Sequence, residues 1–283
     1  MTVYNRGQVR GQEQIIEEQK TVNDSPYAYW DKHQLYKMSV KEFIFEFCGW
    51  TAIQELINHP FNYLQRNKAF LSALFLTGGR VTEVLSLKKE YFKAGVDSQG
   101  RPTIIVTGMM LEKHYRKISD RYKGEDGKWH YETQKVLATR KPFVIKLAEP
   151  LAEILWNWIK DCQDEYLFKS PHRHSKVGHL TRKWAYKYII ALDKAIPKQL
   201  KELLGLMKPF VIEGEKIADS LHLWCHWFRS QRASQLVENY DFKIEDLMSY
   251  FSWRDIKIAL RYLHIGVHVM SDRMNTDLLK GAR

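Results

Sequence analysis

The chain has 283 residues, with 44 Lys and Arg against 33 Asp and Glu, for a formal charge of +11. Its 45% hydrophobic and 13% aromatic content is enough apolar surface for one large core or two modest ones, which excludes global disorder. No run of about 18 apolar residues occurs, and the opening MTVYNRGQVRGQEQIIEEQK lacks the apolar centre of a secretory signal, so an intracellular protein without a membrane span is expected.

Taken in chain order, the first 22 residues are polar and read as an arm or a solvated helix. The aromatic stretch from Ser25 to Trp50 contains a Ser39 to Glu42 capping-box signature for a short helix. From Thr51 to Leu87 apolar residues recur at helical spacing and predict two or three helices, broken at Gly78-Gly79. Between Gly95 and Leu147 the pattern changes. PTIIVTGMML is a β-branched run, KGEDGKW a Gly/Asp turn and KPFVIKL a second short run, which together predict a small antiparallel sheet with a long connection. Helical periodicity returns in LAEILWNWIKD, in LTRKWAYKYIIALDKAI and from Leu221 onward, punctuated by Pro150, Pro171, Pro197 and Pro209. The expected fold is mainly α with one small antiparallel β-sheet. Cys48, Cys162 and Cys225 are widely spaced, without CxxC or a Cys/His cluster at zinc spacing, and read as buried thiols. The surplus of positive charge favours a polyanionic partner, nucleic acid first.

Several residues stand out against this background. Arg80 follows the Gly-Gly turn at the start of a helix whose Val81, Val84 and Leu85 suit a core, with Glu83 three residues on. His226 and Arg229, in HWFRSQRASQL, share one helical face. Trp253 lies nine residues before Tyr262.

These residues, in this order and at these intervals, resemble the tyrosine recombinases, the phage-integrase family. TGGRVTEV matches the family's first-arginine box, His226-Trp-Phe-Arg229 its H-x-x-R box, and Trp253 with Tyr262 its final box. The resemblance runs from about Trp50 to Ile265 and implies the catalytic-domain fold of that family. It divides the chain into an N-terminal arm with a short helical segment, residues 1–49, and a catalytic domain, residues 50–283. It also implies cleavage and rejoining of double-stranded DNA through a 3′-phosphotyrosyl link, without metal or nucleotide cofactor, by a homotetramer on paired DNA sites.

The chemistry makes the same demands of these residue types. The nonbridging oxygens of a phosphodiester need neutralising, and two guanidiniums, here Arg80 and Arg229, do so with fixed forked donors. A tyrosine, with its ordinary pKa of about 10, needs neighbouring positive charge and a proton acceptor, for which His226 is the candidate. Tyr262 is the nucleophile that the resemblance implies; Tyr240 and Tyr250 read as buried or capping residues. The family protonates the leaving 5′ oxygen with a lysine on the turn of the sheet. Lys113 is the first candidate here, with Lys117 and Lys135 next, because the connection is longer than usual. Glu83 reads as structural, holding an arginine or capping a helix, and Trp253 as packing support. Arg182, Lys183 and Lys187, interleaved with Trp184 and Tyr186, suit DNA contact, as do Lys117 and Lys135.

The resemblance has a gap. Most members carry a separate helical core-binding domain of about 100 residues, which the 49 residues before the first catalytic helix do not supply, so the expectation is a minimal recombinase, one that borrows a partner DNA-binding protein, or one that uses Tyr27 to Trp50 as a reduced substitute. Two rivals remain. One is a type IB topoisomerase-like nicking and closing enzyme, disfavoured because H-x-x-R stands where those enzymes have K-x-x-R. The other is a non-catalytic DNA-binding protein on a recombinase scaffold, disfavoured because neither arginine nor the tyrosine is missing.

Overall fold

The computed structural model describes residues 47–123, 128–172, 177–207, 210–212, 215–218 and 222–263. The Ser39 to Glu42 signature and almost all of the arm lie outside the described residues. The fold is mainly α with a small antiparallel sheet, as the periodicities predict. The N-terminal stretch forms three helices: α1 (Trp50–Asn58), α2 (Gln65–Thr77) and α3 (Val81–Leu85). Helix α1 is amphipathic and buries Ala52, Ile53, Leu56 and Ile57. Helix α2 is buried on every side from Ala69 to Thr77, the signature of a central helix rather than a surface one.

Three short strands follow and pair antiparallel in the order β1-β2-β5: β1 (Phe92–Val96), β2 (Pro102–Val106) and β5 (Phe143–Lys146). The long connection between β2 and β5 is a structure in its own right. It is a two-stranded ribbon of β3 (Met110–Lys123) and β4 (Trp129–Thr139), whose strands pair with each other and not with the sheet. Sequence patterning shows this segment only as a connection, because a ribbon outside the sheet lacks the apolar alternation of a strand with one buried face.

The second half is helical: α4 (Ala152–Asp161), α5 (Arg182–Ala195), α6 (Lys198–Leu203), α7 (Cys225–Tyr240), α8 (Ile244–Phe251) and α9 (Ile256–Leu263). A short hairpin of β6 (Phe210–Ile212) and β7 (Glu215–Ala218), which the helical reading does not anticipate, separates α6 from α7. Helix α7 is buried from Trp227 to Val237 and is the second central helix, in contact with α2. Each of these helices brings polar side chains into the core, and their partners are provided. Arg232 of α7 forms a two-pronged ion pair with Glu149, its Nη1 also donating to Gln235 and its Nε and Nη2 to the Tyr250 hydroxyl. The Tyr250 hydroxyl in turn donates to the Leu76 carbonyl of α2. Tyr250 is thus the buried structural tyrosine expected, while Tyr240 is half-buried. The thiols depart from expectation: Cys225 is buried, whereas Cys48 and Cys162 are only half-buried.

No helix among the described residues is long and apolar enough to cross a membrane.

Candidate active site

The site begins at the end of α2. Thr77 closes the helix with its hydroxyl on the Ala73 carbonyl, and Gly78 turns the chain out at φ 54°. Only glycine suits this corner. The backbone is left-handed, and a Cβ there would lie 2.3 Å from the Phe251 ring. The turn delivers Arg80 to the N-terminus of α3, where the Glu83 carboxylate accepts the Arg80 backbone N–H at 2.8 Å and its guanidinium Nη1 at 2.8 Å. Glu83 therefore caps the helix and holds the arginine at once.

Glu83 has two further neighbours. Its Oε1 accepts the backbone N–H of Glu112 at 3.0 Å, which ties the base of the ribbon to the site. Its Oε2 lies 4.0 Å from Nη1 of Arg229, on α7. Burial pushes the Glu83 pKa up, but Arg229, the Arg80 N–H and the Arg80 guanidinium outweigh it and hold the carboxyl below its usual range. One carboxylate is thus shared between two guanidiniums, so positive charge is left over.

Arg229 is 2% exposed and donates from Nη1 to the Gly78 carbonyl. Its guanidinium sits 4.8 Å from the centre of the Phe251 ring and 5.4 Å from that of Trp253. Burial brings its pKa down to about 10, with Glu83 and Tyr262 opposing and Arg80 adding to the fall, so it stays charged at neutral pH. Its Nη2 is buried with no hydrogen-bond partner among the described residues. A buried, charged, unsatisfied donor is costly unless something fills the position.

The C-terminal part of the site is a pile of rings. Phe251 stacks on Trp253 at 4.4 Å and Trp253 on Tyr262 at 5.4 Å, with planes within 13° and 11°. Tyr262 is 4% exposed, and its hydroxyl is 3.5 Å from the Ser230 hydroxyl, next to Arg229 on α7. Trp253 is buried. His226, one turn before Arg229, is exposed at the start of α7.

The structure therefore brings Arg80, Glu83, Arg229, Trp253 and Tyr262 together, with His226 one helical turn from Arg229. The lysines of the ribbon separate by register. Lys113 immediately follows the residue that bonds Glu83, whereas Lys117 and Lys135 face each other farther along. Arg182, Lys183 and Lys187 are exposed on α5. Arg182 Nε donates to the Tyr186 hydroxyl at 2.9 Å, and its Nη1 is 4.0 Å from Glu112, so the basic start of α5 adjoins the base of the ribbon.

One residue of the site has no motif to announce it. Arg140, just after β4, is buried; it donates from Nη1 to the Thr77 carbonyl at 2.6 Å and from Nε to the Tyr250 carbonyl. Its guanidinium lies 4.0 Å from the centre of the Phe143 ring and 5.5 Å from that of Phe251. It joins the turn that carries Arg80 to the segment that carries Trp253. Burial takes its pKa down to about 9, still charged at neutral pH. The one sequence signal is an arginine three residues before an apolar strand that buries Phe143 and Ile145. No group of three or more His, Cys, Asp or Glu side chains able to hold a metal occurs among the described residues.

No family model matches the chain, and no curated protein matches it significantly. Among solved structures the chain is similar to the XerH site-specific recombinase bound to palindromic difH substrate in a post-cleavage complex. That match has 12% identity and a TM-score of 0.44, and covers 79% of this chain and 51% of that one. It is also similar to XerA recombinase, at 16% identity and a TM-score of 0.45, over 82% and 65% of the two chains. The integrase of transposon Tn1549, in complex with a circular intermediate DNA, matches at 14% identity and a TM-score of 0.41, over 78% and 62%. The chain spans about half of the XerH recombinase and just under two thirds of the other two.

Proposed function

We propose that the chain is a DNA strand transferase of the tyrosine recombinase type, which cleaves and rejoins double-stranded DNA at specific sites. The observation that carries this reading is the placement of Arg80 and Arg229 on either side of the single Glu83 carboxylate, with the Arg229 guanidinium against the Trp253 ring on which Tyr262 stacks. Two guanidiniums sharing one carboxylate leave a net positive charge, and the buried Nη2 of Arg229 leaves a donor; a phosphodiester supplies the missing anion and acceptor.

In this reading the phosphate rests on Arg80 and Arg229, and the Tyr262 oxygen attacks phosphorus. The Oη–P bond forms as the P–O5′ bond breaks. His226 takes the phenol proton and Lys113 gives one to the departing 5′ oxygen. Attack by a 5′ hydroxyl of the partner strand reverses these steps. Because Tyr262 is packed against Trp253 and is 4% exposed, its ring and the C-terminal end of α9 must turn outward as DNA enters. Arg182, Lys183 and Lys187 on the exposed face of α5 would hold flanking phosphates. Exchange between two DNA sites calls for a homotetramer, with an accessory DNA-binding protein where the 1–49 segment does not grip DNA alone.

The test is a nicked suicide substrate drawn from the ends of the element that encodes the protein, run on a denaturing gel with wild type and Tyr262→Phe. A 3′-linked adduct that disappears in the variant supports the reading, and strand exchange against simple relaxation then separates recombinase from topoisomerase. An adduct that persists in Tyr262→Phe rejects the nucleophile. Salt-sensitive binding without any adduct favours the non-catalytic scaffold.

A further inference from the structure

A buried acid near the end of α5 lies outside the site and yet reaches the entrance of α7. Asp193 is 5% exposed and stands in the last turn of α5, where a negative charge meets the unfavourable end of the helix dipole. Burial adds a desolvation cost that partners have to offset. Three are provided, from two other parts of the chain. Asp193 Oδ1 accepts the Leu223 backbone N–H at 2.8 Å, while Oδ2 lies 3.0 Å from His222 Nδ1 and accepts from Lys201 Nζ at 3.3 Å.

Lys201 lies on α6, before the β6–β7 hairpin, and His222 and Leu223 come after it. One carboxylate therefore fastens both ends of the segment from Lys201 to Leu223 onto α5. The second end bears on the site, because Leu223 lies two residues before α7 and three before His226. Helix α7 opens on Trp224, whose side chain caps none of its first amides, and no acidic residue stands in its first turn. The Asp193 carboxylate supplies from α5 an anchor that the helix's own cap does not. His226 is exposed in that first turn, whereas Arg229, one turn on, is held separately by the Gly78 carbonyl.

We propose that Asp193 is a positioning residue for His226: by accepting the Leu223 N–H it sets the first turn of α7, and it touches neither DNA nor the reacting atoms itself. This rests on the reading of His226 as the group that takes the Tyr262 proton. The Leu223 bond, which needs an acceptor but no charge, carries the effect, and the Lys201 ion pair does not.

The experiment follows the full chain with ring-labelled histidine by NMR, using His226→Gln to assign the His226 signal, and measures adduct rate and DNA affinity on the nicked substrate in parallel. Asp193→Ala removes the acceptor, Asp193→Asn keeps Oδ1 for the Leu223 N–H while losing the charge, and Lys201→Met removes the ion pair alone. In Asp193→Ala the His226 signal should shift or broaden and the adduct rate should fall by about 100-fold, the usual cost of a displacement of about 1 Å at a reacting group, with DNA affinity within about threefold of wild type. In Asp193→Asn and Lys201→Met the signal and the rate should stay close to wild type. If Asp193→Ala melts early, Asp193→Ser, which keeps a polar group but reaches less far, reads the same signal. An unmoved His226 signal in a folded variant that lacks the acceptor overturns the proposal. So does a loss of rate in Asp193→Asn or Lys201→Met equal to that in Asp193→Ala, which would give the role to the charge, and so does an equal loss of affinity and rate, which would make Asp193 a residue of the fold alone. The adduct assay on wild type reports separately on the cleavage reading: no adduct, with a His226 signal displaced in Asp193→Ala and restored in Asp193→Asn, would reject the chemistry and keep the tie between Asp193 and His226.

Discussion

Oε2 of Glu83 lies 4.0 Å from Nη1 of Arg229, and neither side chain is more than 3% exposed. The same carboxylate holds Arg80 at 2.8 Å, so the two arginines that would bind a phosphate are positioned by one acid. Glu83→Gln keeps the shape and loses the charge. Breaking a buried ion pair costs about 3 to 5 kcal/mol, and the variant should lose stability of that order in urea unfolding. A loss below about 0.5 kcal/mol would show that Glu83 does not hold the two cations together.

The same carboxylate sets a pH dependence. Its folded pKa is depressed, so the stability it contributes is fully present above the unfolded value of about 4.3 and is lost as pH falls through the lower folded value. Below about pH 5, wild type should lose stability more steeply than Glu83→Gln, and the two curves should converge at acid pH. Parallel curves from pH 7 to pH 3 would contradict the depressed pKa.

Arg140 presents a different problem, since among the described residues it is buried without a paired carboxylate and serves two backbone carbonyls instead. Arg140→Met fills the space but leaves the Thr77 and Tyr250 carbonyls unpaired, at about 1 to 3 kcal/mol each. We expect about 2 to 5 kcal/mol lost in urea unfolding, and more than a tenfold fall in adduct rate in whatever fraction stays folded, with salt-dependent DNA binding retained. Full adduct rate in the folded variant would confine Arg140 to stability.

How far the sequence reveals all this depends on the range of the interactions. The Gly78-Gly79 break, the helix that opens at Arg80 and the Glu83 cap are legible because each depends on residues within a turn or so. The partnership of His226 and Arg229 is legible as a three-residue spacing, but not that Arg229 is buried while His226 is exposed, because that depends on where α7 lies against α2. Arg140 is illegible for the same reason. Its partners Thr77 and Tyr250 are 63 and 110 residues away, and no local pattern encodes them. The ribbon falls between these cases. Its turn shows in KGEDGKW, but that its strands pair with each other and not with the sheet appears only once the register is known.

The Phe251, Trp253 and Tyr262 rings should act as one unit. Trp253→Ala opens a cavity between two rings and should cost about 3 to 5 kcal/mol, with a matching loss of near-ultraviolet circular dichroism. Trp253→Phe keeps a ring in the pile and should recover most of the adduct rate. If Trp253→Ala cleaves DNA as fast as wild type, the pile does not position Tyr262.

The ribbon lysines can be separated by the leaving group. If Lys113 protonates the 5′ oxygen, Lys113→Ala should slow cleavage by about 100 to 10,000-fold, the usual range for a lost general acid. A substrate with sulfur in place of the bridging 5′ oxygen departs as a thiolate and needs no proton, so it should restore the rate to within about tenfold of wild type, since free thiols ionise near pH 8.5. Lys117→Ala and Lys135→Ala should slow cleavage through weaker binding instead, and sulfur should not rescue them. Their register places both beyond the Glu112 N–H that anchors the ribbon to Glu83, and Lys113 directly beside it. Rescue of Lys117→Ala but not of Lys113→Ala would move the proton donor outward along the strand, and would require the ribbon to fold back over the site when DNA is bound.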